Sequence, residues 1–204
     1  MVLRRELFWK NLSVKENKQT QLDVVAKKIS ACRTCKKEKI GVAVPGEGNP
    51  DADIVFIGEA PGKKEAKTGR PFIGPAGKLL RGLIKGIDLD DTDVFITSVV
   101  KYLPEYVTPK EHDIIHGRKH LFEQIDIIDP TVIVLLGNTA VIGVLGEKMS
   151  IAKVHGTIIK RDGRTYLIAY HPAAPLYSGK LKVEIEKDFS MLKKLCKIHK
   201  KRLK

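Results

Sequence analysis

The chain is poor in cysteine, in long apolar runs, in glutamine and in negative charge. Three cysteines among 204 residues (Cys32, Cys35 and Cys196) are too few for the disulfide scaffold on which small secreted domains depend. No uncharged apolar run approaches the ~20 residues that span a bilayer. The opening MVLRRELFWKN is charged from its fourth residue and lacks the apolar centre of a signal peptide. A cytoplasmic protein with no membrane partner is expected. Three Gln beside abundant Lys, Glu and Ile is the balance of a high-temperature source. There is no repeat, no low-complexity stretch and no long linker. The 204 residues therefore read as one domain, with an arm over 1–20 and a basic tail over 197–204.

What is present is a globular balance with an excess of positive charge. Hydrophobic residues make up 43% and charged residues 30%, which excludes an intrinsically disordered chain. Lys and Arg number 37 against 24 Asp and Glu, a net charge of +13. That excess favours a polyanionic partner, nucleic acid before membrane. A solvated basic surface is the alternative that charge alone leaves open.

Apolar periodicity supplies the order of elements. Leu22, Val25, Ala26 and Ile29 recur at helical spacing and predict a helix running into Cys32. GVAVPGEGNPDA is a loop by its chemistry. DIVFIG, VFITSVV and TVIVLLG are short apolar runs of the kind that form buried strands. GPAGKLLRGLIKGI, PKEHDIIHGRKHLFEQIDII, a short stretch around Thr139 to Leu145 and Val183 to His199 read as helices. GTIIKRDGRTYLIAYHP reads as two strands joined at Asp162-Gly163. Strands alternating with helices predict an α/β fold with a parallel sheet covered on both faces. Ligands in such folds sit at the carboxyl ends of the strands. GEAPG, SVVKY and HPAAP fall there and should converge on one cleft.

The glycines of positions 58 to 77 (Gly58, Gly62, Gly69, Gly74 and Gly77) make a loop whose backbone can approach a ligand closely. Phe72 lies among them. An exposed ring there suits stacking on a flat partner such as a base, whereas a ring that plugs the loop against the core is the plainer reading.

GEGNPDA, GEAPG, TGRPFIGPAG, LGEKMSIAKVHG and HPAA, in that order, closely resemble the family-4 uracil-DNA glycosylases from about Cys32 onward. The resemblance implies a three-layer α/β/α sandwich around a four-stranded parallel sheet. It implies a monofunctional enzyme that flips a deaminated base out of DNA and hydrolyses its N-glycosidic bond. Phe72 would stack on the flipped base, and His171 would hydrogen-bond the base oxygen. Gly58 and the backbone around Glu59 and Ala60 would line the base and supply further donors. The carboxylate that orients the attacking water would be Glu59, at the strand end, or Glu65, which a solvated surface charge explains equally well. Lys63, Lys64, Arg70, Gly74, Gly77 and Lys78 around the loop, with the tail KIHKKRLK, would contact phosphates without reading sequence. Leu176 or Tyr177, just after HPAA, would wedge into the gap left by the base. The expected partner is DNA containing a deaminated base, bound by a monomer.

Two departures from the family stand out. Ser98 replaces the Asn that reads the uracil edge. A hydroxyl is shorter and both donates and accepts, so a roomier pocket that also admits hypoxanthine is one outcome, and merely weaker uracil recognition the other. The family's four-iron, four-sulfur cluster needs four cysteines. Cys32 and Cys35 match the first pair, but Tyr102 and His116 stand at the third and fourth places and Cys196 lies outside the pattern. No cofactor is expected, with the cluster lost and the Cys pair free or disulfide-bonded. A zinc site built on Cys32, Cys35 and His116 is the lesser alternative, since His112, His116 and His120 are spaced to share a helix face. The rival function is a non-catalytic DNA-binding relative. A metal-dependent nuclease is disfavoured because no acidic cluster is present.

Overall fold

The computed structural model describes residues 17–106 and 108–202, with side chains as far as residue 196. Residues 1–16 of the expected arm, and the side chains of the basic tail, lie outside the described residues. The chain opens with α1 (Lys18–Ala31) and α2 (Arg33–Lys36), followed by the two-residue strands β1 (Lys39–Ile40) and β2 (Glu47–Gly48). Then come β3 (Ile54–Gly58), α3 (Glu65–Thr68), α4 (Pro75–Gly86), β4 (Val94–Ser98), β5 (Leu103–Pro104) and α5 (Glu111–Ile128). The last stretch holds β6 (Val132–Leu136), α6 (Asn138–Leu145), α7 (Ile151–Val154), β7 (Ile158–Arg161), β8 (Arg164–Ala169), α8 (Ala174–Tyr177) and α9 (Leu181–Arg202).

The main sheet runs in the order β2-β4-β3-β6-β8-β7. Its four inner strands are parallel, as the alternation of strands and helices predicts. Both edges add an antiparallel strand. The edge formed by β2 falls in the segment expected to be loop. There Glu47 and Gly48 pair with Ile96 and Phe95, because the extended Gly- and Pro-rich chain passes the open side of β4. At the other edge Asp162 and Gly163 have φ of 52° and 76°, the two left-handed residues that a tight hairpin turn requires.

β3, β4 and β6 are buried along their whole length, and β8 along all but its first residue, so their side chains divide between two cores with period two. Val55, Ile57, Ile133, Leu135 and Ile168 face one way, toward α1, α5 and α6. Ile54, Phe56, Val134, Leu136 and Leu167 face the other, toward α4 and α9. On that second face Phe56 stacks on Phe189 of α9, with ring centroids 5.8 Å apart. Such a pair contributes ~0.5–1.5 kcal/mol beyond its buried area. The three-layer sandwich leaves Gly58, Ser98, Gly137 and His171 together at the carboxyl ends of the parallel strands.

Candidate active site

Gly58 ends β3 and pairs with Ser98 at the end of β4. A Cβ on Gly58 would lie 2.5 Å from Phe72 Cζ and 3.4 Å from Ser98 Oγ. Glycine is therefore what lets the phenyl ring close on this strand end. Phe72 is not an exposed ring but follows the plainer of the two readings, plugging the loop against the core. It is 8% exposed and belongs to the core on the α4 face. Its backbone holds a left-handed φ of 50°, uncommon for a bulky residue. A Cβ on Gly77 would meet the Phe72 carbonyl oxygen at 1.9 Å, so α4 can start against this turn only with glycine there. The burial that excludes Phe72 from solvent still leaves its ring centroid 5.9 Å from that of His171.

His171 follows β8 and is partly buried. Its Nδ1 accepts a hydrogen bond from the Ala173 backbone N–H at 3.1 Å, which leaves the proton of the neutral ring on Nε2. Burial pushes the imidazole down to about 4, so at neutral pH it is an uncharged Nε2–H donor. Residue 170, just before it, is anchored as well. The Tyr170 N–H donates to Asp188 Oδ2 at 3.0 Å, and Asp188 Oδ1 lies 2.8 Å from His155 Nδ1. Burial raises the Asp188 carboxyl and the His155 contact opposes it. Sequence reading missed this Asp188–His155 support, because residues of α9 and of the turn before β7 carry no local signal of meeting at β8.

Glu59 and Glu65 occupy different environments. Glu59 lies at the strand end, partly buried, and its Oε2 accepts from Thr139 Oγ1 at 2.6 Å. Thr139 lies in the first turn of α6, whose free N–H groups favour a nearby carboxylate. Glu65 is no solvated surface charge: it is 8% exposed, and its Oε1 accepts from the N–H groups of Ile73 at 2.8 Å and Gly74 at 2.7 Å. Its carboxylate thereby braces the turn that carries Phe72. Ala60, between these groups, packs against the α5 face of the core. Asn138, which opens α6, holds a buried amide oxygen without a hydrogen-bond partner. A polar residue directly after the strand-ending Gly137 was the available sequence signal for it.

The basic residues of the glycine loop divide. Lys63, Lys64 and Lys78 are exposed. Arg70 spends its guanidinium on Glu47, with contacts of 2.9 and 3.0 Å, and Arg81 adds a third at 2.7 Å. Burial works to raise the Glu47 carboxyl, but these two arginines hold it below its usual value. A cavity of ≈ 370 Å³ is lined by Glu47, Arg70, Arg81 and Asp91 among others. Their charges pair with one another, and the lining includes none of Gly58, Phe72, Ser98 or His171. The Gly74 N–H is committed to Glu65, and Gly77 packs closely on the Phe72 backbone. Leu176 and Tyr177 of α8 are 54% and 90% exposed, side by side next to His171.

A second polar cluster lies away from this cleft. Cys32, Cys35, His116 and His120 each bring a ligand-type atom within 4.8 Å of the others. The two sulfurs are free thiols, not a disulfide. Burial first, then the contact with Cys32, pushes the Cys35 thiol well above its ordinary range. The three histidines lie on α5 at i, i+4 and i+8, as their spacing predicts. His116 and His120 turn toward the cysteines, while His112 is largely exposed and lies 3.3 Å from Asp113. Nearby, Lys101 is buried and donates to Thr97 Oγ1 and Gln124 Oε1, both at 2.6 Å. Burial lowers its ammonium to about 7.

Comparison with known proteins adds independent findings. The family described as the uracil DNA glycosylase superfamily matches residues 45–193. A type-4 uracil-DNA glycosylase of Sulfurisphaera tokodaii is 41% identical over 186 residues, covering 86% of this chain and 84% of its own. One from Saccharolobus solfataricus is 42% identical over 184 residues, covering 84% and 85%. One from Archaeoglobus fulgidus is 38% identical over 185 residues, covering 86% and 93%. Among the described residues, no helix is long and apolar enough to cross a membrane.

Proposed function

The chain belongs to the uracil-DNA glycosylase superfamily, and from that premise we propose that it removes uracil from DNA as a step of base repair. The reaction breaks the bond between the sugar C1′ and the base nitrogen, and the oxygen of water takes the base's place on C1′. The departing base carries negative charge, so catalysis depends on donors aimed at it. His171 is that donor. The single observation that carries this reading is its Nδ1, held by the Ala173 N–H, which leaves the proton of the neutral ring on Nε2, in a ring 5.9 Å from that of Phe72. A neutral imidazole with its proton on Nε2 still offers one N–H donor, without carrying a positive charge into a buried site.

The other roles follow from position. The base leaves the duplex stack to reach the strand ends and lies against the Phe72 ring. Glu59, with one carboxylate oxygen held by Thr139, uses the other to orient the attacking water. Glu65 acts indirectly, as the brace of the Phe72 turn. Lys63, Lys64 and Lys78 hold the phosphates, and Leu176 or Tyr177 fills the space the base vacates. Ser98 faces the same strand end as Gly58 and Phe72, and its short hydroxyl leaves room for a purine. Hypoxanthine, which like uracil sets a carbonyl beside an N–H, is the proposed second substrate. No cluster chemistry enters any step.

The test is a duplex carrying a single uracil, incubated with the protein and then heated in alkali. Strand scission together with free uracil in the supernatant is the expected result. Duplex binding without released base would identify a DNA-binding relative that has lost the chemistry.

A further inference from the structure

We infer that Cys32, Cys35, His116 and His120 form a four-coordinate site for one zinc ion. The four-iron cluster implied by the family resemblance does not fit these residues. It needs four thiolates, each on a different iron, and two sulfurs are present here. The third cysteine, Cys196, packs on the opposite face of the sheet, against the α4 and α9 core. Tyr102, which stands where the resemblance places another cysteine, is 2% exposed and packs with Val25, Ile29 and Cys35.

Zinc fits on donor chemistry, spacing and an unmet valence. Two thiols and two imidazoles are the donor set of structural zinc, and the pairs recur as Cys-x2-Cys and His-x3-His. The fold supplies the rest: Cys32 forms the α1–α2 junction, Cys35 lies in α2, and the histidines lie one turn apart on α5. Bonds of about 2.0–2.3 Å to a tetrahedral ion set its donors about 3.3–3.8 Å apart. Cys32 Sγ and His116 Nε2 are 3.1 Å apart, and all four donors lie within 4.8 Å of one another. The Cys35 N–H already donates to Cys32 Sγ at 3.2 Å, a contact that favours the thiolate.

The independent observation is His120. It is 5% exposed, and neither ring nitrogen has a hydrogen-bond partner. A buried imidazole left unpaired at both nitrogens is costly, and a metal removes that cost. Its Nδ1 lies 3.9 Å from Glu123 Oε1, so Nε2 takes the ion while Nδ1–H turns toward the carboxylate, the usual outer support of a zinc-bound histidine. The ion would staple α2 to α5 across the smallest of the three apolar clusters.

The experiment measures metal directly. The full chain is produced in medium containing both iron and zinc and is purified without chelator. Elemental analysis is expected to find one zinc and no iron per chain. The chain reloaded with cobalt(II) is expected to show the intense visible bands of a tetrahedral ion and a thiolate charge-transfer band. Cys32→Ser should weaken the charge-transfer band. His120→Ala should weaken metal affinity, read by competition with a chromophoric chelator, by more than the ~10–100-fold that loss of an outer-sphere partner costs. A metal-free wild type that takes up no cobalt, about four irons per chain, or a folded His120→Ala that keeps wild-type affinity would each overturn the site. Stoichiometry and the cobalt spectrum of the wild type decide the matter even where a variant fails to fold. Neither readout depends on base excision, so the two proposals fail separately.

Discussion

His171 and His120 are both withdrawn from water, yet their surroundings prepare them for opposite tasks. At His171 one nitrogen is already satisfied by the Ala173 N–H, and the other carries the proton at the carboxyl ends of the strands, beside the Phe72 ring. At His120 neither nitrogen is satisfied, and two thiols, a second imidazole and the Glu123 carboxylate lie close to it. Burial lowers the proton affinity of both rings. The difference teaches that burial alone does not define a site. The partner that is present fixes which nitrogen remains, and the elements around it fix whether that nitrogen meets a substrate or an ion.

Breaking the cleft side of this comparison should give the largest effect. His171→Ala removes the donor to the leaving base and is expected to lower single-turnover uracil excision by ~10²–10³. Its metal content should match that of the wild type. A rate within a few-fold of wild type would remove His171 from its role.

Ser98→Asn sharpens the same cleft. The longer amide should take space from a purine while giving uracil a second hydrogen bond. The ratio of hypoxanthine to uracil excision is expected to fall by about tenfold or more. Parallel changes in both rates would mean that Ser98 does not set the choice of base.

Glu65→Gln keeps the shape of the side chain and loses its charge. Hydrogen bonds to an ionised group contribute ~1.5–3 kcal/mol, so chemical denaturation should show a loss of about that size. Excision should slow as the Phe72 turn loosens. A variant as stable as wild type would show that the two N–H contacts do not hold the loop.

The smallest effects concern phosphate contacts. Lys63→Ala and Lys64→Ala should each reduce the salt dependence of duplex binding by about one ion. Arg70→Ala should reduce it by less, because Arg70 is engaged with Glu47. A larger slope change at Arg70 would reverse that ranking.

The parallel core was legible because the strands within DIVFIG, VFITSVV and TVIVLLG are buried on both faces, so each is mostly apolar and uncharged. The hairpin was legible because Asp-Gly meets the need for two left-handed residues. The convergence of Gly58, Ser98 and His171 followed from the rule that places ligands at strand ends. What escaped reading depended on contacts distant in sequence. The β2 edge exists only because β4 has an open side. The burial of Phe72 depends on Gly58 and Gly77 together, and Glu65 is bound eight and nine residues ahead of itself. His112, His116 and His120 share a spacing, but only the Cys32–Cys35 turn selects two of them.

The claim that the cleft presents a neutral Nε2–H donor can be observed without any substrate. Imidazole ¹⁵N shifts of His171, followed by NMR from neutral to acid pH, report both tautomer and titration. Because the folded value lies below the ordinary 6.5, at about 4, folding resists protonation here. The stabilisation is therefore complete above about 6.5 and is lost as pH falls toward 4. The predicted record is an Nε2–H tautomer that persists unprotonated through pH 5.5 and titrates only near 4. An Nδ1–H tautomer, or a ring that titrates at its ordinary value, would contradict it.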